Sequence, residues 1–114
     1  MDVVEVLEKA KERLRGHWCQ GALYRDSDDR VLGKDFDGCR VCAYGAVVSV
    51  SARDSTEPML TVLGRLDEAA WEDSDGGFFK ASSYNDAEGR TEEEVLALFD
   101  KAIELAKADE VNAK

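Results

Sequence analysis

The chain has 114 residues and a formal net charge of −10, with 44% apolar and 35% charged residues. That length fits a single domain with its own core, and the composition excludes a disordered chain or, with one proline, a proline-rich linker. The charge disfavours direct nucleic-acid binding, which relies on Lys and Arg to neutralise phosphates, and leaves room for a basic partner.

The N-terminus, Met1-Asp2-Val3-Val4-Glu5, is acidic where a secretion signal is basic and then apolar, and the chain contains no apolar run of the roughly 18 residues that a membrane helix needs. The expectation is a cytoplasmic protein with no membrane segment. An odd count of three cysteines fits free thiols better than a disulfide framework.

The first predicted element is a helix from Asp2 to Arg15. Asp2 is an N-cap with Glu5 three residues on, Val3, Leu7, Ala10 and Leu14 form the apolar stripe, and Gly16 ends it. Trp18 follows directly and is expected to fold back onto the core. Ala22–Arg25 and Arg30–Leu32 read as strands of a small hairpin around the turn formers Asp26-Ser27-Asp28-Asp29. Those acids do not make a calcium loop, whose fifth and sixth positions would be Arg30 and Val31 instead of an oxygen ligand and glycine.

After the connector Gly33–Gly38, with Asp35 or Asp37 placed to cap it, a buried central helix is expected from Cys39 to Ser51 or Ala52. Cys39, Cys42, Ala43, Ala46, Val47 and Val50 recur at the spacing of one helix face. Gly45 within it costs about 1 kcal/mol relative to alanine, so a close backbone contact is expected there, from a crossing helix or the Trp18 ring. Ser55-Thr56-Glu57-Pro58 restarts a helix with Met59, Leu63, Leu66 and Ala70 on its core face and Trp71 at its end. Glu72–Gly77 is loop-like, Phe78 and Phe79 are expected to return at least one ring to the core, and Ser82–Arg90 reads as a polar turn region. The last helix opens with the capping box Thr91-Glu92-Glu93-Glu94 and carries the stripe Val95, Leu98, Phe99, Ala102, Ile103 and Ala106. The fold expected is mainly α (α+β): a compact four-helix domain over residues 1–108 with a small β-hairpin after the first helix, and a frayed tail over 109–114.

Three places could carry chemistry. His17, Cys19, Cys39 and Cys42 have the ligand types of tetrahedral zinc, but Cys39 and Cys42 share a face with apolar residues, where cysteines are usually small buried hydrophobes. Cys19 or Cys42 with His17 could form a nucleophile–base pair, although no oxyanion donors accompany it. Asn85–Thr91 precedes a helix N-terminus, where Glu92, Glu93 and Glu94 oppose anion binding. The expected assignment is therefore no catalytic residue, no metal and no cofactor.

The segments Trp18-Cys19-Gln20-Gly21, Cys42-Ala43-Tyr44-Gly45-Ala46 and Asn85-Asp86-Ala87-Glu88-Gly89-Arg90-Thr91, the last leading into Glu94–Ile103, resemble a family of small actinobacterial and actinobacteriophage proteins that form a domain of unknown function. Its motifs read W-C-Q-G, C-A-x-G-A and N-D-x-x-G-R-T, and the resemblance runs from the first helix to the last. The chain departs from the family pattern at His17, commonly glycine, and at Tyr84, usually tryptophan, which weakens both readings that need His17. The resemblance carries no activity, and it makes Trp18, Gln20, Tyr84, Asn85 and Asp86 the candidate polar and aromatic contact site. The functional expectation is an accessory protein, in a host cytoplasm if phage-encoded, that binds another protein or a second copy of itself. The alternative is a small enzyme or ligand-binding protein with a pocket around those five residues.

Overall fold

The structure, a computed structural model, describes residues 2–36, 38–54, 59–71 and 80–112. Among them are five helices and two short strands: α1 (Val3–Leu14), β1 (Tyr24–Arg25), β2 (Arg40–Val41), α2 (Ala43–Asp54), α3 (Met59–Ala69), α4 (Lys80–Asp86) and α5 (Glu92–Asn112). The protein is mostly helical, as expected, with five helices among the described residues in place of four.

Local signals set α1 and α5. Glu5 N–H donates to Asp2 Oδ1 at 2.9 Å, and Gly16 leaves the helix at φ 76°, a conformation without steric cost only for glycine. At α5, Thr91 N–H donates to Glu94 Oε1 at 3.0 Å while Glu94 N–H donates back to Thr91 Oγ1 at 3.3 Å, the reciprocal capping box. Helix α5 continues to Asn112, and Asp109 pairs with Arg65 of α3.

Helices α1 and α3 both pack against α5, and α1 also packs against α2. Leu7, Leu14, Val47, Leu66 and Phe99 are fully buried where these helices meet. The expected stripe of α5, from Val95 to Ala106, is buried throughout. The core face of α3 is Val62, Leu66 and Ala69, with Ala70 just beyond it, while Met59 is exposed.

The middle of the chain departs from expectation. Cys39–Val41 is not the start of the central helix: Arg40–Val41 is a strand, pairing antiparallel with Tyr24–Arg25 in the register Tyr24↔Val41 and Arg25↔Arg40. Val41 is held from two sides, since its N–H donates to the His17 carbonyl at 2.6 Å and its own carbonyl accepts from Cys19 N–H at 2.9 Å. Those partners are far off in sequence, so no local periodicity reveals them. The expected second strand contributes only a bridge between Val31 and Arg25.

Helix α2 therefore begins at Ala43 with Cys42 as its cap, and Gly45 N–H donates to Cys42 Sγ at 3.3 Å in the manner of a serine cap. Asp35, expected as a cap, accepts from Ser49 Oγ at 2.5 Å, further along the helix than its first turn. The close contact expected at Gly45 is real, but its source is neither a helix nor Trp18. A Cβ there would fall on the carbonyl oxygen of Leu23, which accepts from Cys42 N–H at 3.1 Å. Helix α4 occupies part of the expected polar turn, with Ala81 N–H donating to Asp67 Oδ1 of α3 at 2.9 Å. Asp37, Ser55–Pro58, the loop Glu72–Gly77, Phe78 and Phe79 lie outside the described residues.

Candidate functional site

Four of the five candidate contact residues meet at one point, organised by Asn85. Its side chain is completely buried at the end of α4. Its Oδ1 accepts from Trp18 Nε1–H at 2.8 Å and from Ala43 N–H at 3.0 Å. Its Nδ2 donates to the Cys19 carbonyl at 3.1 Å and to Asp86 Oδ1 at 2.9 Å. An asparagine amide has two donor hydrogens and two acceptor lone pairs, so nothing is left over for a ligand.

The surrounding residues extend the same stitching. Gln20 Nε2 donates to the carbonyls of Asn85 and Ala87, both at 3.0 Å, and Gly21 N–H donates to Asp86 Oδ1 at 2.9 Å. The bond to Ala43 N–H makes Asn85 a cap supplied to α2 by another helix, satisfying a backbone donor that the first turn cannot. Tyr84 stands apart: the Arg90 guanidinium lies 3.7 Å from its ring centroid, and Arg90 Nε donates to its carbonyl at 2.8 Å.

The four residues of the zinc alternative are not brought together, and no metal-holding group of three or more His, Cys, Asp or Glu occurs among the described residues. His17 is exposed, its Nδ1 lying 3.1 Å from the Arg15 carbonyl. Because Cys39 belongs to the sheet segment and not to a helix turn shared with Cys42, its sulfur turns to Arg13 Nη2 at 3.3 Å and Asp35 Oδ1 at 3.5 Å. The three cysteines are buried and free. Burial, with Cys42 nearby, pushes the Cys19 thiol up to about 11, and burial also raises Cys42 despite the Gly45 N–H bond. Both therefore remain protonated near neutral pH, the reverse of an activated nucleophile.

Beside the Asn85 hub lies an open polar cleft of about 380 Å³, lined by Trp18, Cys19, Gln20, Arg25, Asp29 and Arg40. Sequence reasoning missed both arginines, because only the β1–β2 register sets them directly opposite each other. Like charges at such a pair repel unless an anion joins them. Here the anion is Asp29, whose Oδ1 pairs with Arg40 and lies 3.9 Å from Arg25 Nε. Asp29 sits at the end of the turn Asp26–Arg30 with φ 67°, the only non-glycine residue with positive φ among those described. Arg25 is also tied to the carbonyls of Gln20 and Asp29, both at 2.8 Å. Arg40 is less well served, for its buried Nε has no hydrogen-bond partner.

The other side of that turn borders a second cleft, of about 430 Å³, lined by Asp26, Ser27, Leu32, Phe36, Gly38 and Cys39. Val31 and Phe36, on the same loop, are 64% and 47% exposed.

A model of a family of unknown function (DUF6197) matches residues 1–105. The chain belongs to this family. No curated protein and no solved structure matches it. Membership of DUF6197 thus supplies a family without an activity, and the geometry has to carry any reading of function. No helix among the described residues is long and apolar enough to cross a membrane.

Proposed function

We propose that this DUF6197 member is a binding module, not a catalyst, and that it engages a protein partner through the segment that runs from the turn Asp26–Arg30 to Phe36. The observation that carries this reading is the position of the turn Asp26–Arg30 between two open clefts, one polar and one partly apolar, with Val31 and Phe36 exposed on the same loop. Large apolar side chains exposed beside a cleft with a polar rim are the usual makings of a protein-binding surface. The Asn85 hub supports this function by holding the Trp18–Gly21 segment, which leads into the loop, against α4 and the start of α2. A pocket formed by the hub residues themselves is the weaker reading, because their polar groups are spent on one another.

The test is capture from a lysate of the native cells with the full chain immobilised, compared with Val31→Asp and Phe36→Asp. A partner retained by the wild type and lost by both variants is expected. Undiminished capture by the variants, or nothing above background with the wild type, contradicts the reading. Sedimentation of the same proteins covers self-association, which would appear as a dimer that Phe36→Asp dissociates.

A further inference from the structure

We propose that the polar cleft is a carboxylate-binding site, built to take an acidic side chain of a protein partner, and that Asp29 occupies it in the free protein. The inference deepens the preceding reading, on which it rests for the partner being a protein. The β1–β2 register sets Arg25 and Arg40 opposite each other, so two guanidiniums share one face of a two-stranded ladder in a protein of net charge −10. Such a pair needs an anion between its members.

The resident anion fits incompletely. A guanidinium offers parallel N–H groups along the edge formed by Nε and Nη2, which matches the two oxygens of a carboxylate. Asp29 Oδ1 engages Arg40 at Nη2, while the Nε on the same edge stays buried without an acceptor. The Asp29 backbone is held at φ 67°, in the left-handed region that side chains other than glycine, asparagine and aspartate seldom adopt. An unpaired buried donor thus lies on the very edge that Asp29 engages, and an incoming carboxylate that replaces Asp29 can take the whole edge. The Asp29 side chain is 69% exposed at the end of its turn, so solvent can take its place when an incoming carboxylate displaces it. The indole of Trp18 and the side chain of Gln20 form the adjoining wall, where the stem of a glutamate can lie against an aromatic surface.

The test is an NMR titration of the full-length protein with blocked glutamate (N-acetyl-Glu-NH2), with blocked glutamine and inorganic phosphate as parallel probes. Wild type, Asp29→Asn and Arg40→Lys are compared, each first checked for native dispersion of its amide spectrum. Blocked glutamate should bind with shifts centred on Trp18, Gln20, Arg25 and Arg40. Asp29→Asn, which removes the internal competitor but keeps the turn, should bind about 2- to 5-fold tighter, the range that an exposed ion pair is worth. Arg40→Lys keeps the charge but loses the two-pronged edge, and should bind more weakly. Equal affinity of Asp29→Asn and wild type overturns the proposal, as does binding of glutamine as tight as that of glutamate. Binding of phosphate without glutamate also overturns it, assigning the cleft to phosphate. Because the probe is a small molecule, these results are independent of whether Phe36→Asp loses a partner, so the two readings fail separately.

Discussion

Two polar regions lie side by side, and they are satisfied to different degrees. Around Asn85 every donor and acceptor of a buried amide is paired, and three separated stretches of chain are joined: the Trp18–Gly21 segment, the first turn of α2 and the end of α4. Around Asp29 two arginines face each other across a ladder, one exposed carboxylate sits between them, and a buried N–H of Arg40 has no partner. A fully paired buried network rigidifies a fold, whereas an incompletely paired one has capacity left for something else. The more conspicuous motif therefore holds the structure together, and its less conspicuous neighbour is the place proposed for a ligand.

The comparison can be broken first at Asn85. Asn85→Ala leaves Trp18 Nε1–H, Ala43 N–H and the Cys19 carbonyl without partners, and should cost about 3–5 kcal/mol in urea unfolding. A loss below about 1 kcal/mol would mean that the hub holds nothing together.

Next is Gly45→Ala. Helix propensity alone would make alanine stabilising by about 1 kcal/mol, but the added Cβ meets the Leu23 carbonyl, so a net loss of about 2 kcal/mol is expected. The sign of the change in thermal midpoint decides between the two effects.

Asp35→Asn comes third. Burial raises the Asp35 pKa, but bonds from Ser49, Arg13 and Cys39 outweigh it and hold the carboxyl below its ordinary 3.8. A carboxyl depressed in the folded state adds stability that is present above the ordinary value and fades as pH falls through the lowered one. The wild type should therefore exceed Asp35→Asn by about 1–2 kcal/mol at pH 7, with the gap closing below pH 3.8. A gap unchanged down to pH 2 would show that the carboxylate charge plays no part.

The smallest effect is at the turn itself. Asp29→Asn should cost no more than about 1 kcal/mol in the same urea experiment, since the Asp29 end of its ion pairs is 69% exposed. A loss as large as that of Asn85→Ala would make the two regions alike and remove the contrast.

Much of this was legible in the sequence where the causes are local. The caps Asp2 with Glu5 and Thr91 with Glu94, the glycine stop at Gly16 and the apolar stripe of α5 all act within a few residues, and all stand in the fold. The misreadings share a cause as well. Cys39 and Cys42 have helical spacing, yet Arg40–Val41 pairs with Tyr24–Arg25 and bonds to His17 and Cys19, contacts that no local period can register. Helix α4 is short and polar and its first turn is held by the Ala81 N–H donating to Asp67 on α3, a distant partner, so it reads as a turn. The motif residues Trp18, Gln20, Asn85 and Asp86 could be singled out, but not their saturation, which shows only when their partners are in place. Arg25 and Arg40 carried no signal, because the strand register alone makes them neighbours.

Asn85 locks the Trp18 segment to the core, and the Trp18 indole N–H reports on that lock. Its hydrogen exchange, followed by NMR at pH 7, should be slowed to the extent seen for core amides such as Leu66 and Phe99, because the bond to a fully buried acceptor opens only with the domain. An indole N–H that exchanges as fast as that of a free tryptophan would contradict the account.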